Sequence, residues 1–286
     1  MAELAKLITV WSPNGSPGKS TIALSIASEM TEAGNRVFLL DADTYAPSMD
    51  VLLGLNDHPA GLAAACRLVG QDRFDQEQLE RLSTTLTLGK GKLTVMTGIS
   101  SESRWPEISS EKLDDLITVA SEVFDYVVLD VGSPLAEGVS SLASSVGRNA
   151  VSRWAVGYSD LVVTVCGSDP ISIGRYLAAI SQLTELQPKG QVLTVVNRLR
   201  TSVLGSSAKQ QIIETLFSLG QIKVNGFIPD DPAAADQAIR ECLPLTAGKR
   251  TSQARLALSL FTRTQLLGER SKLEGRIAQS AIAKLG

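Results

Sequence analysis

The segment Ser12-Pro13-Asn14-Gly15-Ser16-Pro17-Gly18-Lys19-Ser20-Thr21 carries the clearest chemical signal in the chain. Gly15 and Gly18 let a backbone approach oxyanions, Lys19 adds a point charge, and Ser20 can place its hydroxyl on Mg2+. These residue types at this spacing make a cradle for a polyphosphate. An apolar run, Leu7 to Trp11, precedes the segment, and a helical pattern of Ile22, Leu24, Ile26, Ala27 and Met30 follows it and ends near Gly34. Strand, loop and helix in that order aim free N–H groups and the positive end of a helix dipole at the bound anion. The strict pattern G-x-x-x-x-G-K-[ST] is not met in full, because Pro13 stands at the first glycine position. A Gly/Pro turn ahead of a helix is the competing reading.

Three carboxylates share the same kind of position. One apolar run ends in Leu39-Leu40-Asp41-Ala42-Asp43, another in Val127-Val128-Leu129-Asp130-Val131-Gly132-Ser133-Pro134. Carboxylates at the carboxyl ends of parallel strands project into the crevice where open α/β sheets bind ligands, so beside a phosphate loop they point to metal and water handling. Taken singly, each aspartate is equally well an end-of-strand turn residue.

The elements that must position these groups follow from the hydrophobic pattern. Short, almost wholly apolar runs at Leu7–Trp11, Val37–Leu40, Leu93–Met96, Tyr126–Leu129, Leu161–Cys166, Val192–Val196 and Val224–Ile228 alternate with helix-length segments. Strands apolar on both faces belong to a parallel sheet covered by helices on each side. The expectation is a doubly wound, mostly parallel α/β sheet of about seven strands flanked by helices. No internal repeat or Gly/Ser-rich linker divides it. After Pro244 the strands cease and Thr251 to Leu285 reads as helix, which gives a nucleotide-binding domain over 1–245 and a helical C-terminal segment over 246–286.

Composition narrows the partners. A net charge of −3 and a pI near 5.4 provide no field that would draw the chain to nucleic acid or anionic lipid. Met1 to Val10 contain Glu3 and Lys6 and only a short apolar run, so neither a signal peptide nor a membrane span is expected and the location is expected to be cytoplasmic. Cys66, Cys166 and Cys242 lie far apart without metal-ligand spacing and read as reduced thiols. His58, the single histidine, sits in the turn-like Asn56-Asp57-His58-Pro59, so chemistry needing two imidazoles from one chain is excluded.

The arrangement resembles the deviant Walker A ATPases of the ParA/MinD group over nearly residues 6 to 245. The loop is similar to that family's K-G-G-x-G-K-[ST]-[ST], with its D-x-D segment at Asp41 and Asp43 and its Walker B aspartate at Asp130. Val195-Val196-Asn197-Arg198 and Ile228-Pro229-Asp230-Asp231 resemble the segments that contact adenine. Trp11 to Gly18, Asp41-Ala42-Asp43-Thr44-Tyr45 and Ser168-Asp169-Pro170 look closest to the pilus-assembly branch called CpaE or TadZ. Proteins of that branch often carry a receiver-like domain, for which no room is expected ahead of a strand starting near Lys6. The resemblance implies ATP with Mg2+, a nucleotide-dependent homodimer and a protein partner in positioned machinery. It further implies that Asn14, Gly15, Ser16, Pro17, Gly18, Lys19, Ser20 and Thr21 hold the phosphates and that Ser20, Asp41 and Asp130 serve the metal. Lys19 and Asp43 would act in turnover, and Asn197, Arg198, Pro229 and Asp231 would meet the base.

One departure bears on rate. The family's signature lysine, which reaches a partner's phosphates, aligns with Asn14, Ser16 replaces its second glycine, and Pro17 removes a backbone donor. Loss of that cation is expected to slow hydrolysis about 100-fold; Arg148 and Arg153 are alternative sources of the charge. In the tail, Leu266, Leu273, Ile277, Ala281 and Leu285 form one apolar stripe beside Arg270, Lys272, Arg276 and Lys284. Packing on the chain's own core, a subunit contact and a peripheral membrane contact all fit it. The rival functions are a scaffold dimer that binds ATP without hydrolysing it, a DNA-bound partition ATPase if folding gathers Arg198, Arg200, Lys209, Lys249, Arg250 and Arg255, and a small-molecule kinase.

Overall fold

The computed structural model describes residues 4–15, 17–55, 60–136 and 147–269, with backbone only at 203 and 204. The chain runs β1 (Lys6–Trp11), α1 (Lys19–Glu32), β2 (Val37–Ala42), α2 (Met49–Leu52), α3 (Gly61–Val69), α4 (Gln76–Leu82), β3 (Thr84–Leu88) and β4 (Gly91–Met96). It continues through α5 (Ser110–Val123), β5 (Tyr126–Val131), α6 (Ala150–Tyr158), β6 (Leu161–Gly167), α7 (Pro170–Glu185) and β7 (Gln191–Leu199). The last elements are α8 (Thr201–Leu204), α9 (Ala208–Gly220), β8 (Val224–Pro229), α10 (Pro232–Glu241) and α11 (Gln253–Phe261). One sheet joins all the strands in the order β3-β4-β2-β5-β1-β6-β7-β8.

Alternate residues of each central strand enter opposite cores, as the period of a strand requires. Ile8, Val10, Val37, Leu39, Val128 and Val163 face α1 and α11, whereas Leu7, Phe38, Leu40, Val127, Leu129 and Val162 face α3, α5 and α6. A third cluster of Cys166, Tyr176, Val196, Ile212 and Leu216 seats α7 and α9 on the far end of the sheet. This is the doubly wound sheet expected, with eight strands among the described residues instead of about seven. The extra strand, β3, is the antiparallel edge partner of β4, with Leu88 opposite Gly91 across a two-residue turn at Gly89 and Lys90.

The described C-terminal residues are built into the same core. Ala254, Leu258, Phe261 and Leu266 pack with Ile8, Val163 and Ile228. Glu29 of α1, buried, accepts from Ser259 Oγ at 2.6 Å and from Arg263 Nε at 2.5 Å. Residues 270–286, with the stripe from Leu273 to Leu285, lie outside the described residues, as do Ser16 and His58. No helix among the described residues is long and apolar enough to cross a membrane.

Candidate functional site

The loop between β1 and α1 is shaped by two left-handed glycines, Gly15 at φ +122° and Gly18 at φ +91°. Gly18 caps α1 without a side-chain hydrogen bond, so no cap side chain claims the first-turn N–H groups. Asn197, at the end of β7, donates Nδ2 to Pro17 O at 2.7 Å and ties the loop to the sheet. A Cβ on Gly18 would lie 2.6 Å from that nitrogen, so the tether and the glycine need each other. On the opposite side, Trp11 Nε1 donates to Ser133 O at 2.8 Å and joins the strand before the loop to the segment after β5.

Parallel pairing brings the carboxylates together: β2 and β5 align Asp41 with Asp130, and β1 aligns Val10 with Asp130. Lys19 on the first turn of α1 reaches across to them. Its Nζ lies 2.5 Å from Asp130 Oδ1 and 3.1 Å from Asp43 Oδ2, all three side chains being buried. Burial opposes the charge on Lys19, but Asp130, Asp43 and Asp41 outweigh it and raise its pKa. Burial likewise pushes Asp43 up, yet Lys19 and the N–H groups of Ala46 and Tyr45 hold it below the usual carboxylate range. Asp130 is raised, since burial there exceeds the help from Lys19 and the Ser20 hydroxyl. Burial and the Asp130 charge push Asp41 up to about 7.

Asp41 and Asp43 also organise the chain that follows them. Asp41 Oδ2 accepts from Ser48 N at 2.7 Å and Met49 N at 3.0 Å, and Oδ1 accepts from Asp43 N at 3.1 Å. Asp43 Oδ1 accepts from Tyr45 N at 2.8 Å and Ala46 N at 3.0 Å. Arg148 stacks on the Tyr45 ring at 3.8 Å and donates to Thr44 O at 2.8 Å and to Glu102 at 2.9 Å. The result is a crevice of about 440 Å3 lined by Asn14, Gly15, Gly18 to Thr21, Asp43, Tyr45, Ser133 and Arg198. A second cavity of about 410 Å3, beside Gly15 and Pro17, is lined by Asp169, Arg198, Arg200, Asp230 and Asp236.

A left-handed glycine loop capping a helix, with a buried lysine held by strand-end aspartates, is the setting in which the comparison with known proteins becomes specific. The CobQ/CobB/MinD/ParA nucleotide binding domain matches residues 8–244. The chain belongs to this family. Among its relatives, the septum site-determining protein MinD of Synechocystis sp. is 24% identical over 235 residues, covering 79% of this chain and 76% of that protein. A ParA family ATPase from Chlorobium tepidum superposes with a TM-score of 0.73 at 19% identity, covering 91% of this chain and 98% of that one. MinD from Pyrococcus horikoshii, solved in complex with Mg-ADP, gives a TM-score of 0.68 at 17% identity over 95% and 98% of the two chains.

Within this MinD/ParA-type chain the structure brings Asn14, Gly15, Gly18, Lys19, Ser20, Thr21 and Asp43 around one crevice, with Asp130 buried against Lys19 and Asp41 paired to Asp130 across the strands. Asp130 Oδ2 is buried without a hydrogen-bond partner. An orphaned oxygen on a carboxylate that the Ser20 hydroxyl also stabilises suits a divalent cation, and no group of three or more His, Cys, Asp or Glu among the described residues could hold a metal unaided. A cation completed by phosphate oxygens and water is the chemistry such a sparse donor set allows.

The base-reading residues are divided. Arg198 lines both cavities, and Asn197 spends its amide nitrogen on the loop. Asp231 caps α10 through Ala234 N at 3.1 Å and accepts from Ser252 Oγ at 2.7 Å; with Pro229 it faces a separate recess. Their neighbours Asp230 and Pro232 line the cavity beside Gly15 and Pro17. The alternative sources of charge are engaged, Arg148 as above and Arg153 through Leu135 O at 2.6 Å. Of the basic residues named for a DNA-binding strip, Arg255 turns onto Gly248 O and Glu32, and Lys209 lies over the Phe227 ring. Two contacts were not readable from the sequence, Tyr45 as the platform for Arg148 and Arg175, whose guanidinium meets the loop at Gly15.

Proposed function

We propose that the chain is a deviant Walker A, CpaE/TadZ-like bacterial ATPase that binds Mg·ATP in the crevice, hydrolyses it slowly, and dimerises on ATP to position machinery such as a pilus or secretion apparatus or a division site. The observation that carries this reading is the buried Lys19 shared by Asp43 and Asp130 at a glycine loop that caps α1 without a side-chain hydrogen bond. Lys19 would hold the β- and γ-phosphates together with the backbone of Gly15 to Thr21. Ser20 and Asp130 would hold Mg2+, with Asp41 behind them fixing the loop that carries Asp43; the cation would neutralise charge on the phosphate oxygens. Asp43 orients a water against the γ-phosphoryl group, whose bond to the bridging oxygen breaks, so that ATP and water leave as ADP, phosphate and a proton. The adenine base would lie in the second cavity with Arg198, beside Asp230 and Pro232.

The test is to size the protein with and without Mg·ATP while measuring phosphate release. An ATP-dependent dimer with slow release is expected. A monomer in both conditions, or no ATP binding, overturns the reading. A second reading, an ATP-fixed scaffold dimer without turnover, is favoured by the neutral, exposed Asn14 at the signature position; it predicts dimerisation with no phosphate released. A membrane contact through residues 270–286 would add a readout, co-sedimentation with anionic vesicles.

A further inference from the structure

Resting on the ATP reading above, we propose that Arg175 supplies, within its own subunit, the positive charge at the phosphate loop that Asn14 does not. A Cβ built on Gly15 would lie 2.6 Å from Arg175 Nη1 and 3.5 Å from its Cδ, so the guanidinium and its stem lie against the bare Cα next to Asn14. Among the described residues no hydrogen bond or ion pair holds that side chain. A guanidinium has donors and no acceptor, and here it sits against a loop whose helix start carries no side-chain cap, so donors from both are available to one anion. The chemistry that satisfies both is a polyphosphate oxygen.

The helix that carries Arg175 is fixed in position and in rotation. Asp169 caps α7 by accepting from Ser172 N at 3.0 Å, with Pro170 as its first residue. Tyr176, the next residue, is fully buried and its hydroxyl pairs with Thr164 at 2.6 Å and Thr194 at 3.1 Å. Those bonds to β6 and β7 set the phase of the helix and leave Arg175 on the face toward the loop. Of the other cations near the crevice, Lys19 is held by Asp43 and Asp130, Arg148 by Thr44 and Glu102, and Arg153 by Leu135. Arg198 stands at the end of β7 where the crevice meets the second cavity, and serves as the control.

Arg175→Ala, Arg175→Lys, Arg198→Ala and Asn14→Lys/Arg175→Ala are compared with the wild type and with Lys19→Ala, after circular dichroism shows that each is folded. The readouts are ATP affinity by calorimetry, single-turnover hydrolysis, and the ratio of affinities for ADP with aluminium fluoride and ADP alone, the last being independent of turnover. Arg175→Ala is expected to bind ATP within about threefold of wild type, to lose about 100-fold in rate, and to lose its preference for the aluminium fluoride complex, because the charge acts on the transition state more than on the ground state. Arg175→Lys should retain part of the rate, and Asn14→Lys should restore much of it in the Arg175→Ala background. The proposal is overturned by an Arg175→Ala protein as fast as wild type, by a loss confined to Arg198→Ala, or by a wild type that binds ATP without turnover and without preferring the aluminium fluoride complex. Recovery on mixing Arg175→Ala with Lys19→Ala would overturn the own-subunit assignment. Unchanged ATP affinity in Lys19→Ala would instead defeat the nucleotide site itself.

Discussion

Replacing Lys19 by methionine keeps the length of the side chain and removes only its charge. In the protein as it stands, Nζ is 2.5 Å from Asp130 and 3.1 Å from Asp43, with side-chain exposures of 8%, 0% and 7% for the three residues. Breaking a buried pair strands the remaining charge, at a cost of about 3–5 kcal/mol. Asp130 and Asp41 can relieve part of that by taking a proton, so about 3 kcal/mol is the expected loss, or roughly 6–12 °C in Tm for a chain of this size. The sign with pH follows. Burial already raises both carboxyls above their unfolded values, and loss of Lys19 raises Asp130 further. A raised acid penalises the fold above its folded pKa, and the penalty fades as pH falls toward the unfolded value. The deficit relative to wild type should therefore shrink between about pH 8 and about pH 5.5. Adding Asp130→Asn removes the stranded charge and should recover stability without restoring ATP affinity, which falls tenfold or more in both variants by the loss of about 1.5–3 kcal/mol from a charged hydrogen bond. Thermal melts at the two pH values and calorimetry with Mg·ATP measure all of this. A single variant that melts with wild type, or a double variant less stable than the single, would refute the charge balance described.

Asp43→Ala should bind ATP at least as well as wild type, because Lys19 then has one competing carboxylate fewer, and lose hydrolysis in single-turnover assays, since the proposed task of Asp43 in turnover concerns the water; joint loss of both would make it a structural residue. Gly18→Ala should be strained at φ +91° and pressed against Asn197 Nδ2, costing about 1–3 kcal/mol in urea unfolding and abolishing measurable ATP binding; a variant with wild-type affinity would show that the tether is dispensable. Arg263→Ala leaves the buried Glu29 with Ser259 alone and should destabilise the chain by about 3–5 kcal/mol, whereas Glu29→Gln/Arg263→Met should be less harmful; equal losses would mean that packing, not the stranded charge, dominates.

The parallel strands were legible because burial on both faces forces continuous apolar runs, as in Val37 to Leu40 and Leu161 to Cys166. β3 was not, because an edge strand covers one face only: Thr84-Thr85-Leu86-Thr87-Leu88 alternates and buries Leu88 alone. The glycine loop between β1 and α1 and the three strand-end aspartates were legible for a local reason, since strand ends and helix starts carry their signals within a few residues. The contacts that lock the site were hidden because they span the chain, Asn197 to Pro17 over 180 positions and Tyr45 to Asn149 over 104. Arg175 was hidden in the same way, for on a helix it reads as one more solvated charge until folding sets it against Gly15.

The charge arrangement at the crevice also explains why binding and turnover would be coupled on the proposed function. Lys19 is claimed by Asp43 and Asp130, so it cannot serve an incoming phosphate without loosening its hold on at least one of them. Release from Asp130 would leave that carboxylate, one oxygen of which already lacks a partner, open to a cation. Release from Asp43 would turn its Oδ2 toward water, while Oδ1 stays anchored by Tyr45 N and Ala46 N. Asp43 would then be held at one oxygen and free at the other, the geometry that orienting a water requires. Because those same anchors belong to the segment gripped by Arg148 on the Tyr45 ring, movement of Asp43 on nucleotide binding would be felt at Arg148 and Asn149, just after the residues that follow β5. On the proposed function, an exchange of partners at one buried lysine would be the link between the nucleotide at the loop and the segment held by Arg148.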